Sequence, residues 1–419
     1  MSPIFPRLPK AMDAAALNAL CQPGNLQAIG ASTALRPTIG LRALNALIPA
    51  PGQAPDWDAL LAAFPPLLPL IRTPQEPRYH GEGDVWTHTC HVVEYAVDQP
   101  GYRSADASER RVRFLAALLH DIAKPQTTVI DPDSGRIGQP GHSARGALDA
   151  RILLWRAGVP FAEREAICRL ISVHQLPFHA LRAQRAGRTP EFLVRTLSQA
   201  LRLDLLADLA EADMRGRVCV DMAAVLDDIE LFRELAREEG CLDQPRVFAD
   251  AHTRLRYCRG EDVHPDYAYH REPGSSVIVM SGLPASGKDT YVARQHADLP
   301  VVSFDDARQE LGLKHGENEG AAAHHAIDKA RALLRAQAPF VWNATHLSTQ
   351  MRRKTLDLLH AYHAEVRIVY LEQPEACLLS RNQQRNSSLR NADLLRMLLR
   401  WEPPLPSEAH QVDYLCDAL

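Results

Sequence analysis

Two groups of residues in this sequence have the types and spacings that phosphate chemistry needs. The first is Gly282-Leu-Pro-Ala-Ser286-Gly287-Lys288-Asp289-Thr290. Its G-x-x-x-x-G-K spacing, placed between an apolar run and a helix, lets backbone N–H groups and the helix N-terminus face a nucleotide's phosphates. At this glycine and lysine content the spacing arises by chance about 0.02 times in the chain. Asp289 stands where Ser or Thr usually reaches Mg²⁺, and Thr290 follows it. Metal binding is therefore open between Asp289, Thr290 and a water-mediated route. Downstream, Asp305-Asp306-Ala307-Arg308 follows the apolar run Val301–Phe304, at the carboxyl edge of a sheet, where open α/β folds bind ligands. In phosphoryl transfer a carboxylate accepts the acceptor hydroxyl's proton while cations stabilise the phosphoryl oxygens. Asp305 is the expected base and Lys288 one of the cations. Arg381 and Arg385 lie one helical turn apart, either as a lid over ATP or on a solvated helix face.

The second group is His120-Asp121, at the end of a helical run in the phrase Leu-Leu-His120-Asp121-Ile-Ala-Lys124-Pro. An adjacent His and Asp at a helix end bind one metal together with an earlier His and a later Asp. His88 and Asp213 occupy those places, and His142 and His174 follow at intervals that bring a second metal across neighbouring helices. Any one of these histidines alone reads more readily as an ordinary core or surface residue. Their order carries the reading. Only six of the 47 basic residues are lysines, so Lys124 and Lys288 stand out as compact point charges in a chain that otherwise uses arginine.

The elements that position these groups follow from periodicity. From Val85 to about Ala236 the apolar residues recur at helical spacing, as in Arg111–Leu119, Ala144–Ala157, Glu163–Val173, Glu191–Leu206 and Met222–Ala236, which predicts an all-α region. Residues 261–275 are polar and hold Pro and Gly, as a linker does. After them, strand-like runs at Val277–Met280, Val301–Phe304, Phe340–Asn343 and Val366–Leu371 alternate with helical segments, which predicts a parallel α/β sheet. The expected organisation is a helical extension over 1–75, a helical domain over 76–260, the linker, and an α/β domain over 276–419. The length of 419 residues suits two or three domains, and 46% hydrophobic with 23% charged residues is ordinary globular composition. A net charge of −4 gives no global basic field, so any nucleic-acid contact is local. The eight cysteines stand singly with no C-x-x-C pair, against a zinc ribbon or disulfide framework. No apolar run reaches the roughly 20 residues of a membrane span, and residues 1–10 lack a secretory layout. A cytoplasmic location without membrane attachment is expected.

The motifs GLPASGKDT, FDDAR and SRNQQR together resemble the kinase module of phage-type polynucleotide 5′-kinases. The resemblance implies phosphorylation of a 5′-hydroxyl nucleic-acid end with ATP or another NTP and Mg²⁺. It implies Asp305 as general base, Arg308 as a contact to the acceptor's 3′-side phosphate, and Arg381 with Arg385 on the ATP phosphates. It carries Asn343 and Thr345 as acceptor-positioning residues, without the carboxylate usual there. In the first region the order H…HD…H…H…D is similar to the HD phosphohydrolase superfamily. HDIAKP, GHSARG and EADMRGR resemble the HD domain attached to bacterial tRNA nucleotidyltransferases, although no nucleotidyltransferase core precedes them. This resemblance implies His88, His120, Asp121 and Asp213 as primary metal ligands, His142 and His174 as second-metal ligands, and Lys124 as the cation meeting the substrate phosphate. His80 and His91 are expected in supporting positions.

The two halves in one chain resemble bacterial HD-Pnk end-healing enzymes over about residues 75–415. That family implies repair of RNA or DNA termini, possible work beside an RNA ligase, and one or two Mn²⁺, Ni²⁺ or Co²⁺ ions in the HD site. The competing reading is an HD nucleotidase fused to a small-molecule, nucleoside-like kinase; a repair factor with a purely structural metal is a third.

Overall fold

The structure is a computed structural model that describes residues 34–181, 189–314, 317–384 and 389–416. The chain divides into two compact units, one reaching Arg246 and one beginning at Val247.

The first unit is helical. Its main helices are α1 (Val85–Asp98), α2 (Ala107–Leu119), α3 (His142–Arg156), α4 (Phe161–Val173), α5 (Leu203–Arg215) and α6 (Met222–Glu238). Asp84 and Asp106 cap α1 and α2, their carboxylates accepting from Thr87 N and Glu109 N at 2.8 Å each, which satisfies donors that a helix start leaves open. The apolar stripes of α1, α2, α4 and α5 meet in one core around Val93, Phe114, Leu118, Ile167 and Leu206. The all-α expectation meets one exception, a short antiparallel ladder pairing Val129–Ile130 with Ile137–Gly138. The run Glu191–Leu206, expected as one helix, is instead the helix Pro190–Leu197 followed by α5, because Arg202 takes extended backbone between them. Residues 35–75 do not stand apart as an extension. Leu44, Leu60, Leu67 and Leu70 are buried in the same core, and Arg156 reaches Leu35 O at 2.8 Å.

The second unit starts before the expected linker. The helix Ala251–Cys258 belongs to it, with Arg254 donating to Ala409 O and His410 O at 3.1 and 2.9 Å. The expected helical domain over 76–260 included this helix, whose contacts lie with the second unit. The unit's sheet holds β1 (Ser276–Ser281), β2 (Val301–Ser303), β3 (Phe340–Asn343), β4 (Glu365–Leu371) and β5 (Gln411–Leu415) in the order β2-β3-β1-β4-β5. Every pairing is parallel, with Val277 opposite both Phe340 and Val366. Alternate residues fill two layers, Val277, Val279, Phe340 and Trp342 on one face and Ile278, Met280, Val341 and Val369 on the other. The helices α7 (Lys288–Gln295), α8 (Phe304–Glu310), α9 (Glu319–Arg335), α10 (Thr349–Ala361) and α11 (Glu375–Gln384) connect the strands. β1 lies between strands reached in opposite directions, so ligand binding belongs at its carboxyl end. Arg352, fully buried on α10, locks the chain's return to that end. It donates to both Glu408 oxygens at 2.6 and 2.8 Å and to the carbonyls of His346 and Glu402 at 3.0 and 2.6 Å.

The helical unit also carries a buried ion cluster between α3 and α4. Arg151 meets Glu165 through Nε and Nη2 at 3.0 Å each, and Arg164 Nε adds a third contact at 3.0 Å. Burial opposes ionisation of Glu165, but the two guanidiniums outweigh it and hold the carboxyl at about 2 against an ordinary 4.5. A depressed carboxyl stabilises the fold fully above its unfolded value and loses that contribution as pH falls toward the folded one. Glu165→Gln is therefore expected to lower unfolding free energy by about 3 kcal/mol near neutrality. In urea titrations the gap to wild type should narrow as pH falls from about 4.5 toward 2. A gap that stays constant with pH contradicts this assignment.

Candidate functional site

The phosphate loop begins where β1 ends. Gly282, at φ +141°, passes so close to the neighbouring strand that an added Cβ would lie 2.3 Å from Leu371 O. On its other side Gly282 N donates to Thr345 O at 2.9 Å. Only glycine satisfies both the backbone angle and the clearance. Gly287, at φ +102°, forms the N-cap of α7 and turns the chain into the helix. Lys288 is buried, and its ammonium donates to Gly282 O and Leu283 O at 2.9 and 2.8 Å, lying across its own loop. Ser286 is buried, and its hydroxyl has no hydrogen-bond partner among the described residues. Asp289 and Thr290 are exposed on the first turn of α7.

Asp289 is fixed from the next strand but one. Asn343, the last residue of β3, donates Nδ2 to Asp289 Oδ1 at 2.8 Å. Asn343 thus meets the loop's carboxylate, and Thr345 meets the loop through its main chain. Together with Ser303, Asp305, Asp306 and His296, Asp289 and Asn343 line a cleft of about 480 Å³. Phe304 opens α8 instead of ending β2, because Ser303 accepts from Asp306 N at 2.9 Å and caps the helix. Asp305 is exposed in that first turn and is ion-paired with Arg308, which also meets Glu319 at 2.8 Å. Arg381 lies half-buried in the last turn of α11. Arg385 lies outside the described residues.

In the helical unit five helices bring His88, His120, Asp121, His142, His174 and Asp213 together. His88 comes from α1, His120-Asp121 follows α2, His142 opens α3, His174 caps α4, and Asp213 sits in the last turn of α5. All six are buried. His88 Nε2 lies 3.1 Å from Asp213 Oδ1 and 3.8 Å from Asp121 Oδ2. His120 Nε2 lies 3.1 Å from Asp121 Oδ2, and His142 Nε2 3.5 Å from Asp121 Oδ1. His174 Nε2 stands 4.0 Å from Asp121 Oδ1 and 3.8 Å from Asp213 Oδ2. The groups His88, His120, Asp213 and His120, Asp121, His174 each place their ligand atoms within 4.8 Å of one another.

The chemistry of these donors fits a divalent metal. His120 Nε2, His174 Nε2 and both Asp121 oxygens are buried without a well-formed hydrogen bond among the described residues, an arrangement that costs free energy unless a ligand completes it. Burial drives His174 down to about 3 and lowers His142 as well, so both rings are neutral near pH 7 and keep a lone pair. Burial opposes ionisation of Asp121 and Asp213, but neighbouring groups prevail, His120 and Lys124 for the first and Arg217 and His88 for the second. Both carboxyls titrate well below the usual range. Lys124 is buried with its ammonium 2.7 Å from Asp121 Oδ2 and 2.6 Å from Gln75 Oε1. His80 joins the cluster's edge through Glu82 at 2.8 Å. His91 does not; it is exposed and meets Gly216 O at 3.3 Å.

Three residues here escaped the sequence reading. Arg217 clamps Asp213 through contacts of 2.8 to 2.9 Å; its spacing of four from Asp213 was the available signal. Gln75 and Glu82 carried none, since both lie in polar, proline- and glycine-containing connections.

The AAA-domain family model matches residues 277–404, and with the strand-loop-helix geometry it makes the second unit an α/β P-loop domain. A "Multifunctional CCA protein" of Nitrosococcus oceani is 33% identical over 161 residues, 38% of this chain and 36% of that one. An "A-adding tRNA nucleotidyltransferase" of Deinococcus radiodurans is 38% identical over 89 residues, 20% of each chain. This chain spans less than half the length of these curated relatives. Among solved structures, a gluconokinase from Sinorhizobium meliloti aligns at 20% identity and a TM-score of 0.25, over 36% of this chain and 86% of that one. No helix among the described residues is long and apolar enough to cross a membrane.

The loop geometry predicts that Gly282→Ala abolishes nucleotide binding in calorimetric titration, because the methyl group meets Leu371 O. Binding within tenfold of wild type would contradict the assigned clearance.

Proposed function

We propose that this chain is a bifunctional nucleic-acid end-healing enzyme. Its P-loop unit transfers phosphate from ATP to a 5′-hydroxyl terminus, and its helical unit removes a 2′,3′-cyclic phosphate or a 2′- or 3′-phosphate. The observation that carries the reading is the union in one chain of a phosphate cradle and a buried His/Asp cluster of HD order. The relatives support a nucleic-acid substrate, since one is named for adding A to tRNA.

In the kinase half, Asp305 accepts the proton of the incoming hydroxyl, and Arg308 leaves Asp305 to meet the acceptor's neighbouring phosphate. Lys288 turns from its loop carbonyls to the β- and γ-phosphates, where its charge stabilises the transferring group. Asp289, held by Asn343, and Thr290 face the Mg²⁺ that accompanies ATP, while Arg381 and Arg385 close over the nucleotide. In the helical half, His88, His120, Asp121 and Asp213 hold one divalent transition metal, with His142 and His174 available to a second. When bound, such an ion supplies Lewis acidity toward a phosphate oxygen and an acidified water. Lys124 exchanges Asp121 for the substrate phosphate. The products, a 5′-phosphate and a 3′-hydroxyl, are the ends an RNA ligase requires.

One short RNA with a 5′-hydroxyl and a 2′,3′-cyclic phosphate tests both halves, incubated with labelled ATP and Mg²⁺, or with Mn²⁺. Label is expected at the 5′ end except in Asp305→Ala, lower by at least about 100-fold. The cyclic phosphate is expected to open or leave except in Asp121→Ala. Unchanged ends, with free nucleosides phosphorylated instead, overturn the reading in favour of a small-molecule kinase.

A further inference from the structure

Four imidazoles face the buried carboxylates, and three are aimed by their own helices. His120 and His174 are C-caps and His142 is the first residue of α3. Each donates Nδ1–H to the carbonyl three residues back, Ala117, Ile171 and Gln139 respectively, at 2.8 Å. The last carbonyls of α2 and α4 lack intrahelical partners, and Gln139 lies in the turn before α3, so local backbone fixes the tautomer and turns each Nε2 inward.

His88 lacks that device. It lies inside α1, where its own N–H serves the helix by donating to Asp84 O at 3.1 Å. The carbonyl three residues back, Val85 O, already takes the Thr89 hydroxyl at 2.8 Å. An acceptor for Nδ1 must come from outside the helix, and among the described residues Glu82 Oε1 supplies it, at 3.0 Å. The Glu82 side chain is fully buried. Its Oε1 also meets His80 Nδ1 at 2.8 Å, and its Oε2 accepts from Val218 N at 2.8 Å. Gly81 N donates to Val218 O at 2.9 Å beside it, so the loop carrying Glu82 is fastened just beyond the Arg217 that clamps Asp213.

We propose that Glu82 is the positioning residue of the metal site, a buried carboxylate that orients His88 through Nδ1 and so presents Nε2 to a divalent metal beside Asp121 and Asp213. The inference rests on the metal-site reading above. Metal-bound imidazoles gain basicity and a fixed orientation from such a partner. In this state His88 Nε2 is drawn onto Asp213, and Nδ1 is off the line of a full hydrogen bond, remaining among the buried atoms without one. A ligand at Nε2 replaces the pull of Asp213 and lets the ring settle onto Glu82. His80, Glu82 and His88 also place ligand atoms within 4.8 Å of one another. A metal there would share one carboxylate oxygen with two rings, whereas the Nε2 side offers two carboxylates and three further imidazoles.

The test is Mn²⁺ titration of the full chain, followed by electron paramagnetic resonance, for wild type, Glu82→Gln and Glu82→Met. Glu82→Met fills the same space without an acceptor and is expected to weaken Mn²⁺ binding about 10- to 100-fold. Glu82→Gln keeps an oxygen that accepts from Nδ1–H and is expected to bind close to wild type. The Co²⁺ absorption spectrum should change in Glu82→Met and return in Glu82→Gln. If Glu82→Met does not fold by circular dichroism, Glu82→Asp, one methylene too short to reach, should show the same weakening. Unchanged affinity in Glu82→Met overturns the proposal, as does loss of one metal equivalent with the remaining ions bound normally, which would make Glu82 a ligand. A wild-type chain that binds no Mn²⁺ overturns the metal site itself, and this role with it.

Discussion

Two ionised carboxylates, Asp121 and Asp213, lie buried inside a bundle whose core is aliphatic and aromatic. Isolated charges in such a place cost far more than a fold of ordinary stability supplies. The surrounding residues answer that constraint. Lys124 and Arg217 neutralise the two groups directly, and four imidazoles ring them. Five helices converge there, and each delivers a histidine or an aspartate to the cluster. On the proposed reading, a divalent metal would satisfy several of these buried lone pairs at once.

The P-loop unit obeys a different constraint, close approach of backbone. Gly282 threads between Thr345 O and Leu371 O, so the phosphate loop is held by two neighbouring strands before any nucleotide arrives. Arg352 fastens the segment that precedes α10 and the turn before β5 to the same edge. Lys288 has loop carbonyls to leave, and Asp289 is steadied by Asn343. Asp305 and Arg308 are paired across one helical turn.

Much of this was legible in the sequence, and the reasons are local. The glycine-lysine spacing and the His-Asp doublet encode their geometry within a few residues, and four strands announced themselves as apolar runs. What stayed hidden depends on distant pairing or on weak composition. β5 reads Gln411-Val-Asp-Tyr-Leu415, an edge strand whose polar residues break the apolar run. Phe304 extends the apolar run of β2, yet Ser303 and the acidic pair after it are a helix-start signal that outranks hydrophobicity. Glu82 sits in His80-Gly-Glu82-Gly-Asp, a stretch that reads only as a loop, and its link to His88 follows from burial rather than from periodicity. Arg352 looks like one arginine among three basic residues on an amphipathic helix, and only the fold reveals that it is the buried one.

The central claim is that the His/Asp cluster binds a divalent metal, and crystals grown with Mn²⁺ test it most directly through anomalous scattering. The account predicts a peak about 2.0–2.2 Å from Nε2 of His88 and His120 and from oxygens of Asp121 and Asp213, with the Lys124 ammonium displaced from Asp121. No peak at that position, with Lys124 still paired to Asp121 at millimolar Mn²⁺, would contradict it.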